Sequence, residues 1–303
     1  MAGDGVGGRR GPHRGVALSA EPPRVSRPWL ALREPADAAA RAPDLVEYMQ
    51  RASPSTDGSV IHDLGGGTGA MGRWLAPRLR GPQHWVIHDR DADLLEVALV
   101  DRPGPAADGT AVTIEARGSD ITRLGASDLV GATLVTASAL LDMLTEDELT
   151  GLVVGCAGAR CPVLLALSVV GRVELTPAEP LDRSVAAAFD AHQRRLTPRG
   201  RLLGPDAVAL AIDEFSRRGR EVLLRSSPWR LGAADAELIV EWFTGWVAAA
   251  CEQEIGLAAE LGDYAPRRLA QAAAGRLSVL VDHADLLVLP GIAQTASNRS
   301  ESA

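Results

Sequence analysis

A doubly wound α/β fold built on a mostly parallel sheet is the architecture this sequence predicts, and three observations predict it. A short apolar run ends in a glycine-rich turn that opens a helical segment, the whole spanning residues 60–74 (VIHDLGGGTGAMGRW); this is how a βαβ unit begins. Strand-length apolar runs then alternate with helix-length segments as far as residue 225, the pattern of a parallel sheet with crossover helices. The fifth run, residues 161–170 (CPVLLALSVV), lacks alternation, as a strand buried on both faces does.

Taken in order, residues 1–27 are rich in Gly, Pro and Arg and read as a disordered tail. Residues 28–58 form an N-terminal helical cap, with 28–50 as one helix carrying Leu30, Leu45, Val46 and Met49 among alanines. The nucleotide-binding domain runs from 59 to 291, and 292–303 is a C-terminal tail. Strand one ends at the glycine turn. Residues 85–98 (WVIHDRDADLLEVA) give strand two, an acid and a helix, 112–116 strand three, and 132–138 strand four. Residues 146–158 are the next helix, followed by strand five. Residues 171–182 are a Pro-bearing loop, 181–196 a helix, and 204–219 a helix with Pro in its first turn and Gly at its end. Residues 221–225 are strand six and 286–289 strand seven. Between them, 233–274 looks mostly helical, an insertion suited to a lid, a substrate wall or a homodimer face. Trp242, Phe243 and Trp246 lie there at helical spacing, a stripe that more often serves core or interface than a ligand.

The turn carries the chemistry. Glycines allow dihedrals closed to other residues and leave no Cβ in a ligand's way. Gly67, Gly69 and Gly72 spell G-x-G-x-x-G, the dinucleotide fingerprint, and Asp89 lies 22 residues beyond Gly67, where that motif expects an acid. Read from Asp63 through Gly65, Gly67 and Gly69, with Gly66 between, the stretch is instead D-x-G-x-G-x-G, and it resembles the first motif of the class I S-adenosylmethionine (SAM) methyltransferases. Charge favours the second reading. A carboxylate at the lip of the turn repels a pyrophosphate, whereas it suits a sulfonium and an ammonium.

The resemblance extends over residues 59–145. It implies a seven-stranded Rossmann-like methyltransferase fold whose last strand is antiparallel. Asp89, at the tip of strand two, corresponds to the acid that takes the ribose hydroxyls, with the small helix residue Ala98 nine positions on. Asp120 would reach the adenine amino group and Ile121 the ring. Ala137, with the segment after strand four, would line the cofactor and the substrate mouth; Thr133 stands where the family usually has an acid. Read on their own, Asp89 suits a helix N-cap and Asp120 a turn cap.

Methyl transfer asks the protein for positioning and exclusion of water, and for a base only where the acceptor must lose a proton. Asp142 after strand four and His192 on the helix after strand five are the catalytic candidates. His192 shares an apolar face with Val185, Phe189 and Leu196, the setting of a structural histidine, and His283 is a weaker candidate. Arg172 and Glu174, after strand five, are candidates for the substrate.

Composition narrows the partners. A net charge of −8 lacks the basic face a nucleic acid needs. Every basic residue is arginine and none is lysine, which with the abundant alanine reads as coding bias. The longest apolar run falls well short of the roughly 20 residues of a membrane span, and no signal-peptide run follows Arg9-Arg10, so the expected setting is the cytoplasm with no membrane partner. Cys156, Cys161 and Cys251 lack metal-ligand spacing, so no metal is expected. The segment after strand four lacks the Asn/Asp-Pro-Pro-aromatic motif of amino-methylating nucleic-acid enzymes. The expected activity is therefore methyl transfer from SAM to a small organic molecule on oxygen, nitrogen or carbon. A non-catalytic SAM-binding regulator or scaffold and an NAD-dependent oxidoreductase are the alternatives.

Overall fold

The computed structural model describes residues 25–52 and 58–291. The N-terminal tail through residue 24 and the C-terminal tail 292–303 lie outside the described residues.

The N-terminal cap is two helices, α1 (Arg27–Ala40) and α2 (Pro43–Ala52), and not the single helix expected over 28–50. Ser26 caps α1, accepting from the Trp29 N–H at 3.3 Å, and Pro28 sits in its first turn. The break has a local cause. Pro43 has no N–H to give and disfavours helical dihedrals in the residue before it; Arg41 already leaves the helix at ψ 145°.

The sheet is built from β1 (Ser59–Leu64), β2 (Gln83–Asp89), β3 (Val112–Gly118), β4 (Leu134–Ser138) and β5 (Val163–Thr176), with α3 (Ala70–Leu75), α4 (Ala92–Val100) and α5 (Glu146–Gly158) between them. Then come α6 (Asp182–Gln193), a small hairpin of β6 (Leu196–Thr197) and β7 (Gly200–Arg201), α7 (Ala207–Arg217), β8 (Glu221–Ser226) and β9 (Trp229–Leu231). The chain finishes with α8 (Ala236–Gln253), α9 (Leu257–Leu261), α10 (Tyr264–Ala273) and β10 (Ser278–Leu289). The strand order is β3-β2-β1-β4-β5-β10-β8, with β9 also on β10. β1 to β5 pair in parallel, and β10 runs antiparallel to β5 and β8. This is the expected doubly wound, Rossmann-like arrangement with an antiparallel last strand; the sheet has eight strands where seven were expected, the short β9 on β10 being the addition. The order reverses between β1 and β4, so the ligand crevice falls at their carboxyl ends.

Apolar layers cover both faces. Val135, Ala137, Val163 and Leu165 pack under α5 and α7, and Ile61, Trp85, Leu134 and Leu164 under α2 and α3. A third cluster joins α1, α6 and the insertion helices α8, α9 and α10 to the far ends of β5, β9 and β10. The insertion is thus a cap on the sheet. Phe243 and Trp246 are buried in it and Trp242 stacks on Trp246 with centroids 5.3 Å apart, so the aromatic stripe is core.

Three sequence expectations change here. Strand five does not stop at Val170; it runs to Thr176, because Val173 and Leu175 alternate with Arg172 and Glu174 and find a partner along β10. The last strand is twelve residues, its early half holding the cap. The helix after strand five ends at Gln193, and Leu196 lies exposed in the hairpin, so His192 loses one member of its expected apolar face.

Candidate functional site

The glycine turn folds as its composition demands. Gly65, Gly67 and Gly69 adopt φ of +65°, +54° and +82°, which only glycine takes freely. Gly66 is required by space: a Cβ there would lie 2.6 Å from Asp63 Oδ2 and 2.7 Å from Ile87 Cγ2. Backbone bonds brace the turn, Gly66 N–H donating to the His88 carbonyl at 3.1 Å and Gly69 N–H to that of Gly66 at 2.8 Å.

Asp89, half-buried at the end of β2, lies against this turn. Its Oδ2 accepts from the Gly67 N–H and its Oδ1 from the Asp91 N–H, both at 2.9 Å. Asp91, and not Asp89, caps α4. Ala98 packs beneath Gly69, 3.3 Å from where its Cβ would be.

Asp63 sits differently from the sequence expectation. It is 1% exposed, under the turn and not at its lip. Oδ1 accepts from Thr136 Oγ at 2.7 Å, while Oδ2 has no hydrogen-bond partner among the described residues. Burial raises its pKa to about 7, the Thr136 bond and the Arg41 charge pulling more weakly the other way. A standing negative charge is therefore only partly present at neutral pH, and its ionised form depends on what faces Oδ2.

The adenine-side candidates lie at the tip of β3. Asp120 is exposed and caps a short turn, Oδ1 accepting from the Thr122 N–H at 3.1 Å and hydroxyl at 2.7 Å; those bonds hold its pKa low. Ile121 packs against the cluster that contains Leu141. Ala137 is buried and pairs with Leu64 across β4 and β1. Next to it Ala139 takes φ +51°, a conformation that costs a non-glycine residue and recurs at functional sites. Leu140 Cδ1 stands 3.1 Å from the Cβ position of Gly65.

The catalytic and substrate candidates divide. Asp142 is half-buried beyond β4, and burial raises its pKa against the weaker pull of Arg33 and Arg195. His192 points at the cap, Nε2 lying 3.2 Å from Glu252 on α8, and burial lowers its pKa. Arg172 and Glu174 are not brought to the strand tips. They bond to each other at 2.6 Å and Arg172 reaches Asp282 at 3.3 Å, on the exposed face of the strand extension.

Several polar residues escaped the sequence reading because single polar positions carry no periodicity. Arg33 of α1 forms a bidentate pair with Asp37 at 2.9 and 3.1 Å and lies 4.9 Å from the Trp229 ring centroid. Trp229 Nε1 donates to the same carboxylate at 2.9 Å. His283, read only as a weak candidate base, has its ring 5.4 Å from Trp229, and burial lowers its pKa to about 3. Asp285 accepts from the Leu167 N–H, the Ser227 hydroxyl and the Ala42 N–H at 2.8, 2.6 and 2.9 Å, tying the cap linker to β5. His62 and His88 pair under β1 and β2, Nδ1 to Nε2 at 3.0 Å, with Ser119 on His88 Nδ1.

The cap closes over the turn. Leu30 of α1 approaches the Cβ position of Gly67 to 3.7 Å, and Arg73 of α3 grips Glu34 of α1 at 2.7 and 2.6 Å. A separate recess of about 600 Å³ lies on the outer face of α6, lined by Asp190, Arg194, Arg195 and Arg201 among others; none of the candidate site residues borders it. Among the described residues, no cluster of His, Cys, Asp and Glu could hold a metal ion, and no helix is long and apolar enough to cross a membrane.

The arrangement fits a zwitterionic nucleoside better than a dinucleotide. The Cβ-free cradle borders a buried, unpartnered carboxyl oxygen. Arg73, the cation nearest the turn on α3, is held by Glu34 and the Thr68 carbonyl, so it is not free to hold a pyrophosphate.

No protein-family model and no curated protein matches this sequence. Solved structures resemble it distantly. The cyclopropane synthase MmaA2 from Mycobacterium tuberculosis is 13% identical, over 87% of this chain and 94% of its own, with a TM-score of 0.45. A SAM-dependent methyltransferase from Thiobacillus denitrificans, in complex with S-adenosyl-L-homocysteine, is 13% identical over 88% and 99% with a TM-score of 0.41. Magnesium protoporphyrin IX methyltransferase from Synechocystis, with bound SAH, is 16% identical over 69% and 83% with a TM-score of 0.40.

Proposed function

We propose that this chain is a SAM-dependent methyltransferase that acts on a small organic molecule. The observation that carries the reading is the glycine turn between two carboxylates: Asp89, fixed on the Gly67 N–H, and Asp63, buried beneath with a free oxygen. Asp89 suits the ribose of either cofactor class; it is the acid beneath the turn, Asp63, that in its ionised form opposes a diphosphate and complements an ammonium and a sulfonium.

In this reading, Asp89 accepts from the ribose hydroxyls while keeping the turn in shape. The backbone of Gly65 to Gly69 and the side chain of Asp63 face the amino-acid end, and Asp120 and Ile121 lie toward the base. The bound cofactor supplies a methyl group on a positively charged sulfur. The chain supplies geometry and dryness. α1 covers the turn through Leu30 and the Arg73–Glu34 clamp, and the insertion helices wall the far side. Arg33 stacks near Trp229, which neighbours His283, and its charge acts on both His283 and Asp142; this is where we place the acceptor. Asp142, its pKa raised by burial, would take a proton there from an acceptor that must lose one.

The test is to incubate the full chain with methyl-labelled SAM and a metabolite extract, following SAH formation and label transfer. Label moving into a small molecule supports the proposal. SAH binding without turnover on any fraction would favour a SAM-binding regulator, and tight NADH binding without SAH binding an oxidoreductase.

A further inference from the structure

Arg41 is a buried cation without a counterpart. It is 3% exposed, at the junction of α1 and α2. Its Nη2 donates to Ser138 Oγ at 3.1 Å, and its guanidinium lies 5.4 Å from the Trp74 ring centroid. Nε and Nη1 have no hydrogen-bond partner among the described residues. The acids around it are engaged elsewhere: Asp37 by Arg33 and Trp229, Asp285 by Leu167, Ser227 and Ala42, and Asp63 Oδ1 by Thr136. Burial pulls the pKa of Arg41 below its usual value, more strongly than Asp37, Asp285 and Asp63 raise it.

Its position is informative. Ser138 follows Ala137, which pairs with Leu64, so the guanidinium is tied to the tip of β4, on the strand next to the one that ends in the glycine turn, and its charge acts on Asp63. Two orphan donors of Arg41 and one orphan acceptor of Asp63 thus occur at one end of the cradle. Buried polar groups are rarely left unpaired, and a buried charge less often still. A ligand bearing both a carboxylate and an ammonium would satisfy both.

We propose that Arg41 binds the α-carboxylate of an amino-acid-bearing nucleoside whose ammonium faces Asp63, so that the N-terminal cap recognises the amino-acid end of the cofactor. This rests on the SAM reading above and adds to it a residue and a specificity. Guanidinium–carboxylate pairing commonly gives two parallel bonds from one edge of the guanidinium; Nε and Nη1 lie on different edges, so a carboxylate would pair with one of them together with the second hydrogen of Nη2, whose first is on Ser138.

The experiment is calorimetric titration of the full chain with three probes: SAH, its analogue lacking the carboxyl group, and 5′-methylthioadenosine, which lacks the whole amino-acid portion. The wild type should bind SAH about ten- to a hundredfold more tightly than the descarboxy analogue, the range expected for losing a charge-assisted hydrogen bond. Arg41→Met should lose that preference and keep its methylthioadenosine affinity within about twofold. If that variant unfolds, Arg41→Lys, which keeps the charge but not the guanidinium edge, should retain only part of the preference; a preference as large as the wild type's would overturn the assignment. Equal wild-type affinity for those two, or an Arg41→Met loss as large for methylthioadenosine as for SAH, would overturn the assignment. If none of the three binds the wild type, the SAM reading itself fails, a different result from one in which the probes bind without discrimination.

Discussion

Replacing Asp63 by Asn isolates the charge on which the cofactor assignment turns. Asp63 is an acid whose folded-state pKa, about 7, lies above its ordinary 3.8. Between those values the folded protein keeps a proton that the unfolded chain has released. The group's contribution to stability therefore falls as pH rises from about 4 through 7, and levels off above. Asn keeps the shape and removes the titration. The difference, 7 − 3.8 at ~1.36 kcal/mol per unit, sets an upper bound of about 4 kcal/mol on what the substitution gains at pH 8. In a chain of this size that is a rise in melting temperature on the order of 5–10 °C. The assay is thermal unfolding without ligand at pH 5 and pH 8. Asp63→Asn should melt above wild type at both, with roughly two fifths of the pH 8 gain at pH 5, since 5 − 3.8 is that share of 7 − 3.8. The variant should also gain less stability from added SAH, because the acceptor for the ammonium is weaker. Equal shifts at both pH values, or a lower melting temperature at pH 8, would refute the reasoning.

Other substitutions probe the rest of the cradle. Asp89→Ala removes the acceptor of the Gly67 and Asp91 N–H groups and should weaken SAH by more than about tenfold in calorimetry; an unchanged affinity would reject its ribose role. Gly66→Ala forces a methyl to within 2.6 Å of Asp63 Oδ2 and should cost about 1–3 kcal/mol in denaturant unfolding, whereas Gly104→Ala, with nothing within 4 Å of its Cβ position, serves as the neutral control. Arg172→Ala should leave SAH affinity unchanged and stability within about 0.5 kcal/mol, since its partners Glu174 and Asp282 lie on the exposed strand face. A tenfold loss of affinity there would restore a ligand role to it.

The glycine turn and the acid at the tip of β2 were legible in the sequence because both are local: dihedral demands fix the glycines, and a fixed spacing fixes Asp89. Residues 146–158 read as a helix from the sequence, and the structure adds the reciprocal cap that Thr145 and Glu148 form at 3.3 and 2.9 Å. The extension of β5 was also written in its alternation, but Gly171 and Pro177 read as loop signals until β10 supplied a partner. In β10 itself, Asp282, His283 and Asp285 look like interruptions; Asp285 is tolerated because three donors from distant segments converge on it. Arg41 was illegible for the same reason. Its meaning depends on Ser138, 97 residues away, and on which acids have already found other partners. Asp63 was expected at the lip and lies beneath the turn, because a one-dimensional pattern does not say whether a strand-end side chain faces the crevice or the core.

Titration of the full chain with SAH and, separately, with NADH tests the account at its root. Saturable SAH binding that weakens in Asp89→Ala, with no NADH binding, is the predicted result. NADH binding without SAH binding would show that the acid beneath the turn does not select a cationic, phosphate-free nucleoside, and the assignment would fall with it.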